Sequence, residues 1–182
     1  VTWFYLVPRL PDVNSLRDYH LQTPLRVMSR DGKLISEFGE QRRIPLTIDQ
    51  VPQLYIDALL SAEDENFYSH YGVDPKALLR AAVRMVQAGG KIQGGGSTIT
   101  MQVARNFFLT NRQEFTRKFN EILLAFRIEE ELSKQEILSL YANKIYMGKK
   151  AYGIGAAAQV YYGKRLSELS LAEIATIAGL PK

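Results

Sequence analysis

Glu63, Asp64 and Glu65 stand in a row, and Phe67, His70 and Gly72 follow at short intervals. A carboxylate beside an aromatic ring on a partly buried face has its ionised form disfavoured by desolvation, which suits a general base near neutral pH. If the preceding helix runs on, Glu63, Phe67 and His70 fall at i, i+4 and i+7, on one side. A solvated acidic helix end, with His70 at the favourable end of the dipole, accounts for the same residues. Further along, Gly94-Gly95-Gly96 leads into Ser97-Thr98-Ile99-Thr100-Met101-Gln102. A glycine run entering a helix offers backbone N–H groups to an anion such as phosphate, and the hydroxyls of Ser97, Thr98 and Thr100 add donors. The spacing is not that of a nucleotide P-loop, and a flexible linker with a capping Ser97 is the plainer alternative.

Arg117, Lys118 and Glu121 are three and four residues apart, hence neighbours on one helix. Leu124 and Ile128 continue the side bearing Arg117 and Glu121, so the second half of this helix is apolar nearly all round, a mark of burial. Buried charges need partners or a ligand; a modest surface ion pair is the alternative. Asn106-Phe107-Phe108-Leu109, behind Ile99, Met101 and Val103, fits either core packing or contact with a lipid surface.

The elements that must position these groups are mostly helical. A strand, an Asp-Gly turn and a second strand form a β-hairpin, with Leu25 and Val27 facing Leu34, Ser36 and Phe38 around Arg30-Asp31-Gly32-Lys33. Val51, Leu54, Ala58 and Leu59 give a helix over 48–62. Asp74-Pro75 opens another, to about Gln87. One helix runs from Ser97 towards Phe107. A long one covers 111–131, with Phe115, Phe119, Ile122 and Phe126 as its core stripe. Ser133 to Glu136 and Ser170 to Glu173 are capping boxes that open two more. Between them, Gly155 to Tyr162 is a short helix closed by Gly163.

The 182 residues suffice for one domain with a real core, and 46% apolar with 23% charged residues excludes a disordered chain. No cysteine is present, so neither a disulfide framework nor a cysteine metal site is available. Two histidines argue against a histidine-rich metal centre. A net charge of +4 suits an anionic membrane or a phosphate-bearing substrate as well as plain solubility. The aromatic and glycine pattern of an RNA-binding sheet is lacking, and nucleic acid is not an expected partner. Val1 to Val7 is an apolar stub, too short to span a bilayer alone but suited to the end of a span.

In order along the chain, Glu63-Asp64-x-x-Phe67-x-x-His70-x-Gly72, Gly95-x-Ser97-Thr98-Ile99-Thr100-x-Gln102, Arg117-Lys118-x-x-Glu121 and Lys134-x-x-Ile137-Leu138-x-x-Tyr141-x-Asn143 resemble the four successive motifs of the family 51 glycosyltransferase module of bifunctional class A penicillin-binding proteins. Asn143-x-Ile145-Tyr146-x-Gly148 and Ala151-Tyr152-Gly153-Ile154 continue the last. Met101 stands where the family usually has Gln, and Ala142 where it has Leu.

The resemblance implies a lysozyme-like, mainly α fold with a head lobe and a smaller membrane-associated jaw lobe at about 80–112. It implies residues 1–7 as the end of a transmembrane anchor, 8–24 as a linker, and 25–182 as the module, with an Arg-rich fifth motif lying beyond Lys182. The implied activity is polymerisation of lipid II, with Glu63 as general base and Glu121 as a second catalytic acid. Asp64, Phe67, His70, Gly95, Ser97, Thr98, Gln102, Asn106, Arg117 and Lys118 would bind substrate. No organic cofactor is implied; Glu121 would hold the cations or a divalent metal, Mg2+ or Mn2+. The implied partners are lipid II, the growing glycan strand, the bacterial inner membrane with the module on its outer side, moenomycin-type inhibitors and other cell-wall synthesis proteins. A lysozyme-like glycan-cleaving enzyme and a non-catalytic membrane-associated module are the alternatives.

Overall fold

The computed structural model describes residues 11–17, 25–32, 34–38, 42–90, 95–109 and 114–181. Among them are seven α-helices and four short strands, so the chain is mainly helical, as its patterning implies. The helices are α1 (Gln53–Glu63), α2 (Pro75–Gln87), α3 (Ile99–Phe108), α4 (Glu114–Glu131), α5 (Lys134–Lys144), α6 (Ile154–Tyr162) and α7 (Leu171–Ala178). The chain divides into two compact units, one of Val1–Asp18 with Leu60–Leu138, the other of Tyr19–Leu59 with Ser139–Lys182. The stretch 80–112, expected as a separate lobe, falls within the first unit.

In the first unit, Asp74 caps α2 by accepting the amides of Lys76 and Ala77, with Pro75 at the first helical position. No residue of α2 is buried. Helix α3 is the opposite: Ile99 to Ala104 are all buried. Its cap is Thr98, whose Oγ1 accepts from the Met101 amide, and not Ser97 as the sequence reading expects. Adjacent hydroxyls compete for a cap, and Ser97 is engaged elsewhere. Val73, Met101 and Ala125 form a core cluster, against which Leu78, Ile122 and Phe126 pack.

Helix α4 carries a second correction. The expected stripe of Phe115, Phe119, Ile122 and Phe126 is not its most buried face. Phe119 is 47% exposed, Ile122 and Phe126 are half-buried, and the Phe115 side chain lies outside the described residues. Glu121, Leu123, Leu124, Ala125 and Ile128 are the buried positions among the described side chains. The side bearing Leu124 and Ile128 won because α3 and the 3-10 turn Val13–Leu16 both pack on this helix. That turn lies in the stretch expected as linker, and its Val13 and Leu16 are buried.

In the second unit, β1 (Leu25–Met28) and β2 (Leu34–Phe38) make the expected antiparallel hairpin, with Leu25 opposite Phe38 and Val27 opposite Ser36. A second, unexpected sheet pairs β3 (Arg42–Arg43) with β4 (Ala151–Tyr152) in parallel. Two-residue strands have no periodicity to read. The helix expected over 48–62 is a 3-10 turn, Ile48–Gln50, followed by Pro52 and then α1. Its buried side chains are Tyr55, Ile56 and Leu59, while Leu54 points to solvent. Helix α6 buries Ile154 to Ala158, and a Cβ on Gly155 would lie 2.5 Å from the Ile44 carbonyl oxygen. The small residue is what lets the 42–46 segment approach. Both capping boxes form: Ser133 with Glu136 before α5, and Ser170 with Glu173 before α7.

No helix among the described residues is long and apolar enough to cross a membrane. The expected anchor stub, residues 1–7, lies outside them.

Candidate active site

All twelve site residues named from the sequence fall in the first unit. Helix α1 ends at Glu63, and the chain from Asp64 to Gly72 turns without helical continuation. Glu63, Phe67 and His70 therefore do not share a helix face. The turn gives each acid its own partner.

Glu63 is half-buried, and its Oε2 accepts a hydrogen bond of 2.9 Å from Gln102 Nε2, on the buried side of α3. Asp64 is buried and binds His70 Nε2 through both oxygens, at 2.9 and 3.0 Å. Its Oδ2 also accepts the Ile99 amide at 3.0 Å, which sets a carboxylate at the N-terminus of α3, where the helix dipole favours it. A carboxylate can only accept, so His70 Nε2 carries a proton. His70 Nδ1 is buried with no hydrogen-bond partner among the described residues. Phe67 is fully buried and meets His70 edge-on.

Gly72 joins this turn to α3 and α4. Thr98 Oγ1 donates to the Gly72 carbonyl at 2.6 Å. The φ of Gly72 is +78°, and a Cβ there would lie 2.7 Å from the Ala125 carbonyl oxygen. Only glycine meets both conditions.

The second cluster surrounds Glu121. Its carboxylate, on a residue only 1% exposed, accepts from Lys118 Nζ at 3.2 Å and lies 3.6 Å from Arg117 Nε. That Arg117 nitrogen is buried and makes no hydrogen bond among the described residues. Lys118 Nζ also donates to Ser97 Oγ at 2.6 Å. Ser97 stands just before α3 and Gln102 is within it, so α3 and its entry carry a partner for each cluster. Gly95 has φ of +104° at this entry, while Lys91 to Gly94 lie outside the described residues. Asn106 is half-buried one turn beyond Gln102.

The structure adds Glu129, which the sequence reading did not name, and gives Thr100 and Lys134 a shared partner. Thr100 Oγ1 and Lys134 Nζ both donate to Glu129 Oε1, at 2.7 Å each. Lys134 Nζ also donates to the His70 carbonyl at 2.8 Å and sits 4.4 Å from the Phe67 ring centroid. The helical period holds the signal: Glu129 is four residues after Ala125 and eight after Glu121, on the face that proves buried.

The geometry offers a hydrogen-bonded carboxylate, two cations gathered around a buried one, and a helix, α3, that with its entry contributes to both. A family model described as transglycosylase matches residues 31–182. Penicillin-binding protein 1A of Pseudomonas aeruginosa is 64% identical over 99% of this chain and 22% of its own length. Penicillin-binding protein 1A of Vibrio cholerae is 55% identical over the same shares. The crystal structure of penicillin-binding protein 1A from Haemophilus influenzae has 33% identity and a TM-score of 0.42, covering 90% of this chain and 14% of that one. The chain belongs to the transglycosylase family. It spans about a fifth of the length of the curated relatives it matches.

Proposed function

We propose that this chain is the peptidoglycan glycosyltransferase module of a bifunctional penicillin-binding protein, and that it polymerises lipid II. The observation that carries the reading is the presence, in one unit, of the Gln102-held Glu63 carboxylate and the Lys118–Glu121–Arg117 charge cluster. Glu63 takes the proton of the acceptor GlcNAc 4-hydroxyl as that oxygen attacks the donor MurNAc anomeric carbon. The bond from that carbon to the pyrophosphate breaks with inversion, and the electron pair leaves on undecaprenyl pyrophosphate. Lys118, Arg117 and Ser97 stabilise the departing negative charge, which is greatest in the transition state. Among the described residues Arg117 Nε makes no hydrogen bond and meets only the Glu121 carboxylate at 3.6 Å, which suits a donor to a bound phosphate. Glu121 orients the two cations.

Gln102 orients Glu63, while Asn106 and Gly95 lie along α3 and its entry for substrate polar groups. Thr98, Asp64, His70 and Phe67 hold the turn that places Glu63. Both Glu121 oxygens face cations, and among the described residues no three imidazole or carboxylate groups converge. The Glu121 carboxylate is thus engaged by side-chain cations, and no step here runs through a metal.

Leu79, Val83 and Val86 form an exposed stripe on α2, with Lys76, Arg80 and Arg84 on the same helix. Such a helix suits the surface of an anionic membrane, in keeping with a module on the outer side of the bacterial cytoplasmic membrane. The growing strand is the second substrate, and moenomycin-type phosphoglycolipids are the expected inhibitors at the Lys118 cluster.

The test is Glu63→Gln in the full-length protein with lipid II as substrate. The amide keeps the shape and the Gln102 contact but cannot take a proton. Polymerisation should vanish with the thermal melt unchanged; glycan strands made at the parent rate would overturn the reading.

A further inference from the structure

Two side chains outside the proposed machinery converge on its supporting turn. Glu129 on α4 has a side chain only 3% exposed, and Lys134 opens α5. Their ion pair of 2.7 Å also engages Thr100 of α3 and the His70 carbonyl, while the Lys134 ammonium lies over the Phe67 ring. A Cβ on Gly72 would come within 3.1 Å of Glu129 Cγ, so the pair also packs against the end of the turn. Three helices and the 64–72 segment therefore meet at one pair, its Glu129 side chain buried and its Lys134 side chain half-buried.

Burying two charges removes their hydration, and the attraction between them roughly offsets that cost, so such a pair is a weak source of stability. Its directional bonds are another matter. The Lys134 ammonium holds a backbone carbonyl and an aromatic face of the turn at once, and Glu129 fixes that ammonium against α3. Asp64 and His70 bond each other within the same turn, directly after Glu63.

We infer that Lys134 and Glu129 are positioning residues, a clamp that holds the 64–72 turn so that Glu63 stays aligned for proton transfer. The rate effect rests on the glycosyltransferase reading; the ordering effect does not. A misalignment of about 1 Å at a reacting centre costs on the order of 100-fold in rate.

The experiment uses the full-length protein and the double variant Lys134→Met with Glu129→Gln, which removes both charges together and leaves neither unpaired. The expected result is an unchanged melt, a kcat for lipid II polymerisation lower by about 10- to 100-fold, and KM within about threefold. Without substrate, hydrogen exchange in peptides covering 64–74 should quicken at least about tenfold, with peptides covering 121–128 unchanged. Lys134→Arg, which can still reach both oxygens, should recover most of the rate.

A folded double variant with kcat within about twofold of the parent overturns the positioning role. So does unchanged exchange over 64–74. A double variant that melts well below the parent makes the pair structural and overturns it as well. If the parent itself makes no glycan from lipid II, the proposed function fails, and the exchange measurement still decides whether the clamp exists.

Discussion

At the scale of single residues, identity and order are readable but pairing is not. Glu63 and His70 look like partners in a continuous helix. Because α1 stops at Glu63, it is Asp64 that reaches His70, and Glu63 turns to Gln102, 39 residues on. No local pattern encodes a bond of that span. The Lys118 cluster was more accessible, since Lys118 and Glu121 meet within one helical turn. Its third member, Ser97, comes from another element. Replacing Lys118 by Ala should lower lipid II polymerisation by about 100-fold, the usual loss when one preorganised donor to a developing charge is removed. The exposed Lys149→Ala should stay near the parent rate. Equal rates for the two variants, measured side by side, would remove Lys118 from the pyrophosphate role. Gly72→Ala tests the backbone itself. Its Cβ clashes with the Ala125 carbonyl, and its φ is strained for any L side chain. Together these should destabilise by about 2–5 kcal/mol. A melt matching the parent would show that the turn can move away from α4 freely.

Elements were legible where their signals are local. Asp74-Pro75, Ser133 with Glu136, and Ser170 with Glu173 each announce a helix start through residues no more than three apart, and each forms. The face a helix buries is decided by what packs on it, which is why the α4 stripe was misplaced and the capping role of Ser97 passed to Thr98. Asp74 shows what one cap is worth. Burial pushes its carboxyl pKa up, but the amides of Ala77 and Lys76, the Asn66 side chain and Arg80 outweigh this and leave it below the ordinary aspartate value of 3.8. The folded pKa is therefore the lower one. The stabilisation is present in full above 3.8 and is lost as pH falls through the folded value. Asp74→Ala should cost about 1 kcal/mol at neutral pH. The difference from the parent, followed by chemical denaturation, should shrink below about pH 3.8. A difference that stays constant to acid would mean that the carboxylate charge contributes nothing to the cap.

At the scale of the molecule, each unit is assembled from distant stretches of sequence, and this was the least legible part. The second unit draws on Tyr19–Leu59 and Ser139–Lys182. Alongside the β3–β4 pairing, Asn143 fastens these two stretches, and from the sequence it is only a motif position. Its Oδ1 accepts the Leu46 amide at 2.8 Å, and its Nδ2 donates to the carbonyls of Leu46 at 2.8 Å and Ser139 at 2.9 Å. An amide is the one side chain that accepts at one end and donates twice at the other. Asn143→Ala removes all three bonds and leaves the Leu46 amide and carbonyl without them, at a cost of about 1–3 kcal/mol. Asn143→Asp is the sharper test. At neutral pH its second oxygen faces two carbonyl oxygens, so it should be at least as damaging as Ala. Protonation converts that oxygen into a donor, so the folded state favours the neutral acid and raises its pKa. The excess destabilisation of Asn143→Asp over Asn143→Ala should therefore be greatest above the folded pKa and should fade as pH drops through it. Melts of both variants across about pH 3.5–7.5, from about half a unit below to about three units above the ordinary carboxyl range, give the answer directly. If Asp tolerates neutral pH as well as the parent does, the bonds from Nδ2 are not what joins the two stretches.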